Sequence, residues 1–213
     1  MVVLTTDLIS GKGMSDQPLI VGKNATPVGI YPAVCLINPK YSANVGAALR
    51  ACSCFDVKQL WWTGDRVQMP GKGERLPREE RMKGYKDVEM IQFDRPFDHF
   101  KGATPVAIEL LDNTECIFDF DHPENAVYVF GPEDGNIGLS RRHCHRFVSI
   151  PTRHCTNLAA AVYIVLYDRV YKHWLKTGER LTLNEQRGFV DANANEDVWN
   201  ELQASHKNGV AFI

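Results

Sequence analysis

The sequence has no long apolar run, no CxxC pair, no phosphate-binding fingerprint and no excess of basic charge, and each absence narrows what it can be. Its longest uninterrupted apolar stretch is Leu158–Tyr167, ten residues, against the ~20 that a membrane-spanning helix needs. No membrane partner is expected. No basic segment leads into an apolar one near the start, so no secretory signal is expected, and Met14 is a second candidate start. The cysteines Cys35, Cys52, Cys54, Cys116, Cys144 and Cys155 lack any disulfide or redox pattern, which predicts free thiols in a reducing cytoplasm. With 24 Lys and Arg against 26 Asp and Glu, the net charge is −2, so composition alone makes no case for nucleic acid. Neither GxGxxG nor a P-loop is present, which disfavours a dinucleotide-binding oxidoreductase. What remains is ordinary globular chemistry: 213 residues, 44% hydrophobic and 23% charged, neither disordered nor fibrous.

Order along the chain is uneven. Residues 1–30 are rich in Gly, Ser, Thr and Asp without sustained periodicity and read as an N-terminal extension. From Tyr31 to residue 177 short β-branched or aromatic runs alternate with helix-compatible stretches. The strand candidates are Ala33–Ile37, Val57–Thr63, Val88–Phe93, Pro105–Leu110, Ala126–Phe130 and Phe147–Ile150. Helices are predicted over Asn44–Cys54, Arg78–Lys83, Ser140–His145 and, more weakly, Asp94–Lys101. The alternation predicts an α/β domain with a largely parallel sheet flanked by helices. Several runs are apolar throughout, as strands covered on both faces should be. Residues 178–213 are polar and read as a C-terminal tail, and no internal repeat is present.

A helix from Asn157 to about Leu175 carries two apolar stripes. Leu158, Ala161, Val162 and Val165 form one, and Ala160, Tyr163, Ile164, Tyr167, Tyr171 and Trp174 form the other. Such a helix must be covered on two sides. One side can face its own sheet; the other needs a further helix or a second subunit.

Three segments carry the chemistry. In the first, a strand ends at Ile37, a turn follows, and a small-residue helix opens near Asn44, where Ser42 or Asn44 can cap it; Arg50 lies six residues on. In the second, the apolar strand Ala126–Phe130 runs into Gly131-Pro132-Glu133-Asp134-Gly135, a glycine-rich loop with adjacent carboxylates. In the third, a strand stops at Ile150-Pro151 and a polar loop leads to Cys155-Thr156-Asn157, where Thr156 or Asn157 suits an N-cap. Each alone is as well read as a capped helix or a solvated turn.

Together and in this order, the three resemble the motifs of the SpoU (TrmH) family of RNA ribose 2′-O-methyltransferases, in the SPOUT superfamily. Asn44 through Arg50 is similar to the family's N-x-G-x-x-x-R pattern, Phe130-Gly131-Pro132-Glu133 to its second motif, and Ile150-Pro151 through Asn157-Leu158 to its third, with Cys155 at the usual serine. The second motif carries an apparent insertion at Gly135-Asn136. The resemblance implies a C-terminal deep trefoil knot, S-adenosylmethionine as cofactor, and an RNA substrate, tRNA ahead of rRNA. It also implies a homodimer. Arg50 would be catalytic, with Asn44, Glu133 and Asn157 fixing hydrogen bonds around it and the ribose. The cofactor would sit on Ile108, Glu109, Leu110, Gly131, Ile150, Cys155, Thr156, Asn157 and Leu158. The alternative is an RNA-binding or assembly protein of the same fold without methyl transfer.

Other residues invite lesser readings. His143, Cys144, His145, His154 and Cys155 match no zinc spacing, so no metal is expected. Lys40, Arg141, Arg142, Arg146 and Arg153 could form a local basic rim for RNA phosphates. Trp61 and Trp62 end a strand and read as core or interface.

Overall fold

The computed structural model describes residues 20–21, 28–68 and 87–181. The chain divides into two units, Met1–Arg180 and Leu181–Ile213, and all the architecture that follows lies in the first.

The first unit is one parallel sheet of eight strands. These are β1 (Ile20–Val21), β2 (Ala33–Leu36), β3 (Gln59–Trp62), β4 (Glu89–Gln92), β5 (Thr104–Ile108), β6 (Glu115–Cys116), β7 (Ala126–Phe130) and β8 (Arg146–Ser149), in the order β1-β4-β3-β2-β7-β5-β8-β6. Every pairing is parallel. After β2 the chain moves towards one edge, and after β7 towards the other. The order therefore reverses between β2 and β7, and open α/β sheets hold their ligands in the crevice at such a reversal.

The apolar strands are covered on both faces, as their composition predicts. Along β2, Val34 and Leu36 join one core and Ala33 and Cys35 the other, the alternation a strand imposes. Helices α1 (Ser42–Cys54) and α2 (Leu158–Thr177) pack together over the first face. Val45, Ala48, Leu49 and Cys52 of α1 share that core with Leu158, Ala161, Val162 and Val165 of α2. Helices cover only this face among the described residues; the other is closed by Phe100, Ile137 and the short 3-10 turns Pro96–His99 and Gly138–His143. Those turns stand where helices are predicted over Asp94–Lys101 and Ser140–His145. The second starts at Gly138 with φ +56°, a left-handed conformation that glycine takes without strain and that does not belong to an α-helix. The helix predicted over Arg78–Lys83 lies outside the described residues.

Trp61 and Trp62 are core residues. Two strands escape the sequence patterns: β1, inside the stretch read as an extension, and the two-residue β6. Each is held at an edge by register with one neighbour, Ile20 beside Met90 and Glu115 beside Val148.

Helix α2 buries its first stripe as predicted, while Tyr167 and Tyr171 of the second remain 63% and 45% exposed. Both of its ends are closed chemically. Asn157 Oδ1 accepts from the backbone N–H groups of Ala159 and Ala160 at 2.9 and 3.2 Å, and Gly178 ends it at φ +76°, the left-handed stop that favours glycine. Helix α1 differs. Its N-cap is Tyr41, which makes no side-chain cap bond, so neither Ser42 nor Asn44 caps it. The Asn44 amide is engaged elsewhere.

Candidate active site

A cleft of about 800 Å³ opens at the carboxyl ends of β2, β5, β7 and β8, within the range of small-molecule sites. The loops after β5, β7 and β8 form most of its wall. All nine residues expected to hold a cofactor line it: Ile108, Glu109, Leu110, Gly131, Ile150, Cys155, Thr156, Asn157 and Leu158. Its apolar lining, with Phe130 and Ala161 added, suits a planar aromatic group, and the loop backbones supply polar edges.

Three of the four expected catalytic residues meet at the rim next to α1. Asn44 Nδ2 donates to Glu133 Oε1 at 2.6 Å, and Asn157 Nδ2 donates to Asn44 Oδ1 at 3.0 Å. Glu133 also accepts from the backbone N–H groups of Lys40 (2.7 Å) and Tyr41 (3.3 Å). This explains the bare cap of α1: a carboxylate from another loop stands at the helix N-terminus, where unpaired N–H groups favour negative charge. Burial pushes the Glu133 carboxyl up, but the Asn44 amide and the backbone donors outweigh it and hold the group below its usual range. At neutral pH Glu133 is an acceptor, and its bonds hold Asn44 in place.

Arg50 is not with them. It is half-buried on α1 and absent from the cleft lining. At about 100° per residue it sits about 240° round the helix from Asn44. Its Nε is buried and has no hydrogen-bond partner.

Sequence reasoning missed what braces the loops. Glu109 Oε1 accepts from the Ile137 backbone N–H at 2.7 Å, tying the loop after β5 to the loop after β7 just past Gly135-Asn136. Gly131 suits that packing: a Cβ there would lie 3.0 Å from Glu109 Oε1 and 3.1 Å from the backbone of Asn136 and Ile137, so a side chain would push the neighbouring loop away by a few tenths of an ångström. The glycine thus admits the neighbouring loop as well as lining the cleft. Asp134 takes the guanidinium of Arg66 in a fork, at 3.0 and 2.7 Å, and lies 3.3 Å from Lys40 Nζ. The only hint in sequence was that two acids adjoin.

The candidate basic rim is partly spent. Lys40 is paired with Asp134, and Arg146 is forked onto Glu115 and lies over the Phe120 ring. Arg141, Arg142 and Arg153 are exposed. Among the described residues no three His, Cys, Asp or Glu side chains converge as a metal would require.

Known structures share this architecture. The SpoU methyltransferase AviRb from Streptomyces viridochromogenes, in complex with the cofactor AdoMet, matches with TM-score 0.56 and 18% identity over 70% of this chain and 63% of its own. The chain thus spans under two thirds of AviRb. The A. aeolicus TrmH/SpoU tRNA modifying enzyme matches with TM-score 0.57 and 20% identity, covering 89% of this chain and 92% of its own. A structure giving insight into the 2-OH methylation of C/U34 on tRNA matches with TM-score 0.53 and 18% identity, covering 69% and 97%. Likeness at this identity establishes the fold. No curated protein sequence matches closely enough to count as a relative. The model of the SpoU rRNA methylase family matches residues 32–167, nearly the whole span of sheet and helices, and the chain belongs to that family.

Proposed function

We propose that this chain transfers a methyl group from S-adenosylmethionine to a ribose 2′-hydroxyl of RNA, with tRNA ahead of rRNA as substrate. One observation carries the reading. Asn44 in the first turn of α1, Glu133 in the loop after β7 and Asn157 at the cap of α2 lie up to 113 positions apart and form one hydrogen-bonded chain beside a cleft of suitable size. The residues fit the cofactor: the apolar wall of Ile108, Leu110, Ile150 and Leu158 would hold an adenine, and the carboxylate of Glu109 lies where a cation would be favoured. When bound, the cofactor supplies an electrophilic methyl on a sulfonium, so no metal is needed. The protein's part is then to orient the attacking oxygen, where much of the rate arises. Asn44 and Asn157, fixed by Glu133 and by the start of α2, position the ribose. Glu133 is too well satisfied, and its pKa too low, to serve as the base.

Arg50 remains the proposed catalytic cation, and its place off its own cleft fits a homodimer in which it serves the neighbouring subunit. The exposed stripe of α2 supports that dimer. Phe55, at the C-cap of α1, meets Tyr163 and Tyr167 edge-on at 6.1 and 6.4 Å, and with Ile117, Phe118 and Ile164 they line an open apolar groove. The reading includes the trefoil knot, with the loops after Ile108, Phe130 and Ile150 as cofactor loops. It also places the protein in the cytoplasm, in keeping with six free cysteines; no described helix is long and apolar enough to cross a membrane.

Two measurements test it. Calorimetry should show S-adenosylmethionine or S-adenosylhomocysteine binding that survives a chelator. Mass spectrometry of tRNA and rRNA nucleosides, with and without the gene, should show one lost 2′-O-methylation, in tRNA. Binding of RNA with no lost methylation would favour the non-catalytic alternative.

A further inference from the structure

Glu133 and Asp134 are neighbours that grip different loops. Glu133 holds the loop between β2 and α1 through Lys40 and Tyr41, and the first turn of α1 through Asn44. Asp134 holds the loop after β3 through the Arg66 fork. Arg66 is also bound to the first of these loops, since its Nη1 donates to the Asn38 carbonyl at 3.3 Å. The two loops interlock on their own account. Asn38 N–H donates to Thr63 Oγ1 at 2.9 Å, and a Cβ at Gly64 (φ +75°) would lie 2.3 Å from Asn38 Oδ1. Gln92 of β4 donates to the Gly64 carbonyl at 2.6 Å. The three loops thus form a closed ring beside the cleft, and among the described residues the Arg66–Asp134 pair is its one bidentate ionic link. That pair is partly exposed, at 29% and 46%, and such pairs add little to global stability. What it can fix is geometry: a planar fork sets both distance and angle, as a lysine would not. The Arg66 guanidinium, aided by Lys40, holds the Asp134 carboxyl down at about 2, so the link stays charged at any working pH.

We propose that the Arg66–Asp134 pair is a clasp that positions Glu133, and through it Asn44 and Asn157, for the target ribose. Arg66 is then a positioning residue. Three of its hydrogen bonds are committed to Asp134 and Asn38, so it acts through the loops instead of gripping RNA itself. This rests on the methyl-transfer reading above, but one arm of its test does not.

The test compares wild type, Arg66→Ala, Arg66→Lys and Asp134→Asn. Amide hydrogen exchange reads the clasp without any reaction, because the Lys40 and Tyr41 N–H groups are held by Glu133. Their exchange should quicken on the order of tenfold in Arg66→Ala and Asp134→Asn. Arg66→Lys should lie between, and the amides of β5 and β7 should not change. Single-turnover methyl transfer should fall about tenfold or more in both loss variants, with cofactor affinity unchanged and the double variant no worse than either. Should Arg66→Ala fold poorly, Asp134→Asn and Arg66→Lys decide alone. Unchanged exchange at Lys40 and Tyr41 overturns the clasp. So does slow transfer in Arg66→Ala with normal or faster transfer in Asp134→Asn, which would mean that Arg66 meets the RNA directly. If wild type methylates no RNA, the methyl-transfer reading falls, and the exchange arm still decides the clasp.

Discussion

Two of the polar networks among the described residues differ in what they leave over. One lies at the rim of the cleft: Asn157, Asn44 and Glu133, with Asp134 and Arg66 beyond. The other lies beneath α2, where His122 Nδ1 meets the Tyr128 hydroxyl at 2.6 Å and Nε2 meets Asp168 at 2.7 Å. Because a carboxylate only accepts, Nε2 carries the proton and Nδ1 accepts from Tyr128. Arg169 donates to the same hydroxyl at 3.1 Å and to the Pro123 carbonyl at 2.6 Å. Lys172 reaches Asp168 at 2.8 Å and the Phe120 carbonyl at 3.0 Å. This second network is closed: Tyr128 is wholly buried, and its partners use their capacity on one another and on local carbonyls. The rim network is half-exposed and its amides keep free N–H capacity beside the cleft. Buried and self-satisfied groups pin a helix; groups satisfied on one side only can receive a ligand.

The largest effect should follow from breaking the rim. Glu133→Ala strips the partner from two backbone N–H groups and from the Asn44 amide. Single-turnover methyl transfer should drop by about 10²-fold or more, the scale of losing a preorganised donor or its orienter. Unpaired donors should also cost about 1–3 kcal/mol of stability, read by denaturant unfolding. Full activity in this variant would make the rim a structural turn.

The buried network should answer in the opposite way. Asp168→Ala removes the partner of both His122 and Lys172 and should cost about 3 kcal/mol, the lower end for a broken buried pair since Asp168 is not fully enclosed. Methyl transfer by the protein that remains folded should hardly change. Thermal unfolding and single-turnover rates on the same samples separate the two. A rate loss as large as that of Glu133→Ala would erase the contrast between the networks.

The contrast was only half legible in the sequence. Apolar runs located six of the eight strands, and the helix from Asn157 was placed to within two residues because its N-cap and its periodicity agree. The cleft lining was also legible, since motifs name loop ends, and loop ends at strand termini are where a parallel sheet gathers its ligands. Side-chain connections were not. Nothing in the order of residues says that Glu133 reaches back 89 positions to Asn44, or that Asn44 therefore cannot cap α1. Arg50 shows the same gap: six positions from Asn44 sounds near, yet helix geometry turns it to another face. The His122 cluster left no pattern at all, because its members come from a turn, a strand and a helix and share no period.

A milder stress on the buried network is acid. Burial lowers the His122 pKa below its usual 6.5, against the pull of Asp168. The unfolded chain takes up a proton near 6.5 while the folded chain does so only at lower pH. Stability from the neutral ring is whole above about 6.5 and declines as pH falls from there through the lower folded value. Melting temperature against pH should therefore slope downward below 6.5, and His122→Gln should flatten that slope. An equal slope in the variant would place the acid sensitivity elsewhere.

The smallest effect is expected at Cys155, which stands where the resembled motif has a serine. Its thiol lines the cleft and is exposed, and its one hydrogen bond is a 3.7 Å contact with the Thr156 carbonyl. A thiol is a weak donor, so little now depends on it. Cys155→Ser supplies a stronger donor of similar shape without disturbing Asn157, whose cap and whose bond to Asn44 are the contacts proposed to position the ribose. Cofactor affinity should shift by less than about 1 kcal/mol, the scale of one exposed neutral hydrogen bond, and the methyl-transfer rate less still. Titration calorimetry of the two proteins side by side reads it. A gain much beyond tenfold would mean that the serine of the third motif touches the cofactor directly, and that the rim reaches one residue further into the loop before α2 than its hydrogen bonds show.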